Sequence, residues 1–228
     1  MKRKIITTAD GSKTIQIEDW NEQYHSKHGA IQEAQHVFIK EGLIHYRNLI
    51  NKECQAKAVG ISILEIGFGT GLNAFLTAIE SERWNWNINY VGVEAYPVDD
   101  TEISQLNYAQ EINRGKSDLF KKLHATQWET VNPITNTFQL TKRQQFFSDI
   151  TDVELYDLIY FDAFGARVQP ELWTKAIFQT MYNALKPNGV LVTYAAIGNV
   201  KRAMKELGFI VERLKGPPGK RHMLRATK

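Results

Sequence analysis

From residue 61 onward the chain alternates short apolar runs with segments whose apolar positions recur every three to four residues. Runs of the first kind predict strands, and segments of the second kind predict amphipathic helices. The strands read as Ile61–Ile66, Ile88–Ala95, Gln145–Asp149, Tyr156–Asp162, Val190–Ala196, Phe209–Leu214 and His222–Ala226. Several are apolar throughout rather than alternating, as expected of strands covered on both faces. Helical patterns lie between them, over about 72–83, 171–185 and 199–207. A further helix starts after Pro97 with an acidic first turn of Asp99, Asp100 and Glu102, which complements a helix N-terminus. The 171–185 helix stops at Lys186-Pro187-Asn188-Gly189, a turn signal.

Such alternation predicts an α/β, doubly wound, Rossmann-like sheet. The last two strands are joined by Lys215-Gly216-Pro217-Pro218-Gly219-Lys220. That linker is too short for a helical crossover, so the pair must be antiparallel. A parallel sheet closed by an antiparallel hairpin fits the seven-stranded class I methyltransferase form better than the six-stranded dinucleotide form.

The first 60 residues have a different pattern. Residues 5–8 and 14–17 predict a hairpin around Asp10-Gly11, a good turn pair. Residues 29–51 predict one or two helices. The segment 1–60 is too short for its own core and reads as an extension or lid on the main domain, 61–228.

Composition narrows the class. The chain has 228 residues, 43% apolar and 23% charged, with a net charge of +3. These are the values of an ordinary globule. The one cysteine, Cys54, cannot form an internal disulfide, and no Cys or His cluster suggests a metal site. A reducing, cytoplasmic compartment is therefore expected. No run has signal-peptide or membrane-span character. From Lys201 onward nine Lys or Arg (with His222 a titratable tenth) face two Glu. This is either a solvated face or a phosphate-contacting surface for nucleic acid.

Four strand ends carry candidate chemistry. The first is Leu64-Glu65-Ile66-Gly67-Phe68-Gly69-Thr70-Gly71-Leu72-Asn73, at the carboxyl edge of the first strand, where open α/β sheets bind ligands. Spaced glycines allow a sharp turn and close approach of a ligand to the backbone. The spacing is G-x-G-x-G, not the G-x-G-x-x-G that clamps a pyrophosphate. It suits S-adenosylmethionine, whose amino acid portion the turn would accommodate, with Glu65 near the ammonium. The competing reading is a tight turn with no ligand. The second candidate is Glu94, which could accept two hydrogen bonds from a ribose; NAD and S-adenosylmethionine share that feature. The third is Asp149, suited either to an adenine amino group or to a helix cap. The fourth is Asp162, followed by Ala163-Phe164 at the mouth of the cleft. A protonated amine has no lone pair with which to attack a sulfonium methyl. A carboxylate that takes its proton or holds it in line lowers that barrier. Asp157, at the other end of the same run, reads as structural.

These motifs resemble those of the MnmC/MnmD-type tRNA methyltransferases. The resemblance rests on the string from Tyr24-His25-Ser26 through Gly29 and Glu33 to Val37-Phe38. It extends through Gly67–Asn73, Glu94 with Tyr96-Pro97, Asp162-Ala163-Phe164 with Gln169-Pro170-Glu171-Leu172-Trp173, Lys186–Gly189 and the closing Gly219-Lys220-Arg221-His222-Met223-Leu224. It covers nearly the whole chain. It implies methylation of the exocyclic amine of 5-aminomethyl(-2-thio)uridine at the tRNA wobble position, with the anticodon arm as the part of the tRNA engaged. It also implies that Asp162 meets that amine and that Glu94 and Asp149 hold the cofactor. Tyr24, Ser26, Gly29 and Glu33 would then line the cofactor or substrate mouth. Read without the resemblance, they are a capped helix start. Phe164 and Trp173 fall to the substrate side, although Trp173 also reads as a core or lid aromatic rather than a base-stacking one.

Bifunctional relatives add a flavin-dependent oxidase domain. This chain is expected to be a stand-alone methyltransferase, fed by a separate oxidase or an upstream wobble-uridine pathway. It departs from the family after Phe164, where Gly165-Ala166-Arg167-Val168 replaces a small residue followed by proline. The loop is less constrained without the proline, and Arg167 is expected to bring a positive charge near the substrate mouth. Competing readings are a small-molecule amine methyltransferase or polyamine synthase-like transferase, an NAD-dependent oxidoreductase, and a non-catalytic RNA-binding module.

Overall fold

The structure is a computed structural model, and it describes residues 2–53 and 60–228. Cys54 lies outside the described residues. The chain opens with β1 (Arg3–Thr7), β2 (Lys13–Ile17) and β3 (Glu22–Gln23), a small antiparallel sheet of order β1-β2-β3. The β1–β2 connection spans residues 8–12. Asp10 organises it, accepting bonds from Thr8 Oγ1 and Ser12 Oγ, and Gly11 takes a positive φ of 85°. Next come α1 (Ala30–Ala34), a π-helical stretch (Gln35–Ile44) and α2 (His45–Glu53), one after another without a break.

The main sheet begins with β4 (Ile61–Ile66), then α3 (Leu72–Trp84) and β5 (Ile88–Val93). Three helices follow: α4 (Asp100–Ile103), α5 (Tyr108–Ile112) and α6 (Ser117–Ala125). Asp99 caps α4 through a reciprocal box with Glu102, as the acidic first turn predicts. The chain continues through β6 (Val131–Pro133), β7 (Phe138–Arg143), β8 (Tyr156–Phe161), α7 (Lys175–Ala184), β9 (Leu185–Thr193), α8 (Gly198–Glu206), β10 (Ile210–Lys215) and β11 (His222–Thr227).

The sheet order is β10-β11-β9-β8-β4-β5-β7-β6. Pairs along β9-β8-β4-β5-β7 are parallel, and β10–β11 is the antiparallel hairpin expected from the short linker. This is the Rossmann-like class I methyltransferase arrangement, with β6 added as an eighth, antiparallel edge strand.

One strand differs from the sequence reading. Residues 145–149 do not form a strand; Phe147–Asp149 is a single 3₁₀ turn. The strand beside β5 is β7, which lies earlier. Its inward positions are Phe138, Leu140 and Lys142. A lysine at the third of these hides the alternation. Lys142 is 2% exposed, and its ammonium donates to the His124 carbonyl at 2.8 Å.

Both faces of the sheet are covered. On one face Ile63, Tyr90, Leu140, Leu158, Tyr160 and Val192 pack against α3 and the N-terminal helix. On the other, Leu64, Ile66, Ile159, Phe161 and Leu191 pack against α7 and α8. Residues 30–43 therefore share the core of the main sheet through Ala30, Ala34, Val37, Phe38 and Leu43. Gly42 makes this close approach feasible. A Cβ there would sit 3.0 Å from Val192 Cγ2 and 3.2 Å from Tyr160 Cε1.

Candidate active site

The carboxyl ends of β4, β5 and β8 open into a cavity of about 800 Å³. Its floor is the β4–α3 turn. Gly67 has φ 91°, and a Cβ there would meet the Asp162 carbonyl at 2.8 Å. Gly69 has φ 49°, and a Cβ there would press on the Tyr24 ring at 3.0 Å. Both positions demand glycine on conformational and steric grounds. Gly71 is the left-handed N-cap residue of α3 and shapes the turn from behind, outside the cavity wall. Phe68 is buried, packed edge-on against His124 and Trp128, with one side toward the cavity.

Asn73, in the first turn of α3, links two acids. Its amide nitrogen donates to Glu65 Oε1 at 2.9 Å and to Asp162 Oδ2 at 2.9 Å. Glu65 is 1% exposed, and burial holds its carboxyl well above the usual range. Glu65 Oε2 and Asn73 Oδ1 are buried without a hydrogen-bond partner among the described residues. Orphaned acceptors at a glycine turn fit the ammonium of an amino acid portion. Glu94, at the end of β5, accepts from Gly69 N and Tyr96 N, each at 3.0 Å. Burial pushes its carboxyl up as well. A carboxylate oxygen can accept more than one hydrogen bond, so Glu94, which lines the cavity, could also take a ribose hydroxyl.

Asp162 follows β8 directly, and its amide is tied to the Ile66 carbonyl at 2.9 Å. Its carboxyl faces the cavity from a deep position. Burial pushes it up to about 7, Glu33 adds to the rise, and Asn73 and Lys220 oppose it. The opposite wall comes from the two ends of the chain. Tyr24 and Phe164 meet edge-to-face at 4.8 Å, and Trp20 packs on Phe164 at 5.7 Å. Burial also raises the Tyr24 hydroxyl. Glu33 is 6% exposed and accepts from Ser26 N at 2.8 Å. Its other oxygen binds the Lys220 ammonium. That ammonium lies 3.6 Å over the Tyr194 ring, and the Tyr194 hydroxyl donates to the Ala163 carbonyl at 2.8 Å. Nearby His25 is buried, which lowers it to about 4 and keeps it neutral between Thr14 and Thr70.

The cavity thus gathers Tyr24, Ser26, Glu33, Glu65, Gly67, Phe68, Gly69, Asn73, Glu94, Asp162 and Phe164. It does not gather Gly29, Gly71, Asp149, Trp173 or Arg167, all expected at the site. Asp149 is exposed, takes a bond from Ser148 Oγ at 3.0 Å, and borders a shallow neighbouring depression. The missing strand at 145–149 is the reason; Phe147 and Ser148 reach the cavity in its place. Trp173 is 7% exposed and belongs to the core, where its indole N–H holds the Phe164 carbonyl at 2.7 Å. Arg167 does not offer a free charge. It donates to the Trp20 carbonyl at 3.0 Å and to Glu22 Oε2 at 2.9 Å, pinning the 165–168 loop to the N-terminal sheet. The basic C-terminal run is likewise partly committed: Arg225 pairs with Glu41 and Glu212, and Lys228 with Glu154.

Sequence reasoning missed Arg3, Glu22, Tyr194 and Lys220 as wall residues. Of these, Lys220 alone stood within a quoted motif, the closing Gly219–Leu224 string. Among the described residues no group of acids, histidines and cysteines could hold a metal, and no helix is long and apolar enough to cross a membrane.

Fold and glycine turn together are those expected of an S-adenosylmethionine-dependent methyltransferase. Residues 122–228 match the family described as S-adenosyl-L-methionine-dependent methyltransferase. The chain is similar to the bifunctional proteins MnmC of tRNA 5-methylaminomethyl-2-thiouridine biosynthesis. It is 27% identical to that of Paraburkholderia xenovorans, covering 90% of this chain and 32% of the relative. It is 28% identical to that of Leptospira interrogans, covering 91% and 32%. The chain therefore spans about a third of the length of the curated relatives it matches. Among solved structures it is similar to MNMC2 from Aquifex aeolicus, with a TM-score of 0.74 at 24% identity, covering 99% of this chain and 70% of that one. The MnmC-type resemblance read from the motifs is borne out, and so is S-adenosylmethionine as the cofactor.

Proposed function

We propose that this protein methylates the exocyclic amine of 5-aminomethyl(-2-thio)uridine at the wobble position of tRNA. The observation that carries the reading is Asp162. It is a cavity carboxyl raised to about 7, held by Asn73 and joined through its backbone to Ile66, the residue before the glycine turn. The similarity to the MnmC proteins supplies the acceptor class.

In this reading Gly67, Gly69, Asn73 and Glu65 would hold the amino acid portion of the cofactor, and Glu94 its ribose. When bound, the cofactor supplies an electrophilic methyl group on a sulfonium. Asp162 takes the proton of the incoming ammonium, and the freed lone pair of the acceptor nitrogen becomes the nucleophile. A carboxyl near pH 7 is well matched to that task. Phe164, Tyr24 and Trp20 form an aromatic wall against which a splayed base can rest. Residues 1–60 serve as one side of the site, the anticodon arm is the part of the tRNA engaged, and the cytoplasm is the compartment we infer. An oxidase or upstream pathway supplies the aminomethyl group.

The test is transfer of a labelled methyl group from S-adenosylmethionine to bulk tRNA lacking the final methyl. Label in the wobble nucleoside is expected. Label in a free amine with none in tRNA would replace this reading with a small-molecule methyltransferase.

A further inference from the structure

The cavity wall carries several carboxylates, and two of those on the acceptor side, Glu22 and Glu33, are matched with cations. Glu22 is paired with Arg167 at 2.9 Å. Glu33, almost fully buried, is paired with Lys220. The two cations come from segments remote from their partners: Arg167 from the loop after β8, and Lys220 from the β10–β11 turn. Lys220 is further fixed by the Tyr194 ring, whose hydroxyl is anchored on the carbonyl next to Asp162.

An unpaired Glu33 would compete for the substrate. Its carboxylate and Asp162 would share one cationic acceptor as a triad, holding the amine protonated and unreactive. We propose that Lys220 is a positioning residue that occupies Glu33, leaving Asp162 as the buried acceptor-side carboxylate open to the incoming amine. The inference rests on the reaction proposed above and adds a role for the hairpin turn that the glycine turn and Asp162 do not explain. The charged and titratable groups facing Asp162 are Glu33 on α1, Lys220 in the turn, Glu65 on β4, Tyr90 on β5, Tyr108 on α5 and Tyr194 after β9. Of these, Glu33 and Lys220 act on Asp162 with opposite sign.

The opposition gives a test that a merely structural clamp would not pass. The Asp162 carboxyl is titrated by carbon-detected NMR in the whole protein, assigned with Asp162→Asn, alongside the pH profile of methyl transfer to tRNA. Lys220→Met is expected to move the Asp162 midpoint, and with it the acidic limb of the rate, upward by about one pH unit or more. Glu33→Gln is expected to move both downward. The double variant Lys220→Met/Glu33→Gln should return close to the wild type, and Lys220→Arg should keep the wild-type limb. Unmoved midpoints in both single variants, or shifts of the same sign that add in the double, would overturn the inference. The NMR titration reads the ligand-free protein. An inactive wild type on tRNA therefore sinks the proposed reaction, while the midpoints still decide the role of Lys220.

Discussion

The two ends of the cavity are built in different ways. The end proposed for the cofactor is local: Glu65, Gly67, Gly69 and Asn73 fall within nine residues, and Glu94 reaches Gly69 from the neighbouring strand. Its turn is main chain shaped by positive φ angles, set among the side chains of Glu65, Asn73 and Glu94. The acceptor end is assembled from Trp20, Tyr24, Glu33, Asp162, Tyr194 and Lys220, which span most of the chain. Its surface is side chains and charge pairs. A binding site made of backbone is fixed by geometry, whereas one made of paired side chains is adjustable by substitution. The difference predicts that substitutions at one end alter mainly cofactor binding and those at the other mainly substrate use, with Asn73, which holds both Glu65 and Asp162, as the link between them.

The largest separation is expected from Asp162→Ala. Methyl transfer should fall by about 10²- to 10⁴-fold, the usual worth of a general base. The melting-temperature rise given by S-adenosylmethionine should persist, and NAD should give none. Loss of that rise in a calorimetric scan would move Asp162 to the cofactor end. Gly67→Ala should do the reverse. Its left-handed φ and the 2.8 Å approach to the Asp162 carbonyl cost roughly 1–3 kcal/mol. Isothermal titration should therefore show cofactor affinity weakened by tenfold or more; unchanged affinity would mean the turn does not touch the cofactor.

The pH profile comes next in size. Asp162 must be ionised to take a proton, and burial raises it to about 7. Transfer should decline about tenfold per unit as pH falls below that value, and level off above it. A limb near pH 4 would mean that Asp162 is solvated in the complex. The smallest effect is expected from Arg167→Ala. Its ion pair with Glu22 is largely exposed, and such pairs contribute about 0.2–1 kcal/mol. KM for tRNA should change little. A steep rise in KM would restore Arg167 as a phosphate contact and make the acceptor end wider than the pairing with Glu22 implies.

The same contrast explains what was legible in the sequence. The glycine turn, Glu94 and Asp162 were readable because each follows an apolar strand at the edge where ligands bind. The terminal hairpin was readable from a linker too short to cross over. Three features were not. Strand β7 was hidden by a buried lysine whose ammonium finds a carbonyl rather than water. Asp149 was placed by the strand wrongly drawn in its stead. Lys220 sat in a recognised motif, but its partner Glu33 lies 187 residues away, and no local pattern reports such a pairing.

That distance has a consequence for how the protein is made. A domain generally folds as a unit, so contacts between segments remote in sequence are completed only once both have been synthesised. The sheet centre and the cofactor turn are complete once β8 has emerged. The pocket wall holding Glu33 must wait for the β10–β11 turn. A chain not yet extended to Lys220 would therefore lack the cation that pairs with Glu33, and the acceptor site can close only after the β10–β11 turn has been made.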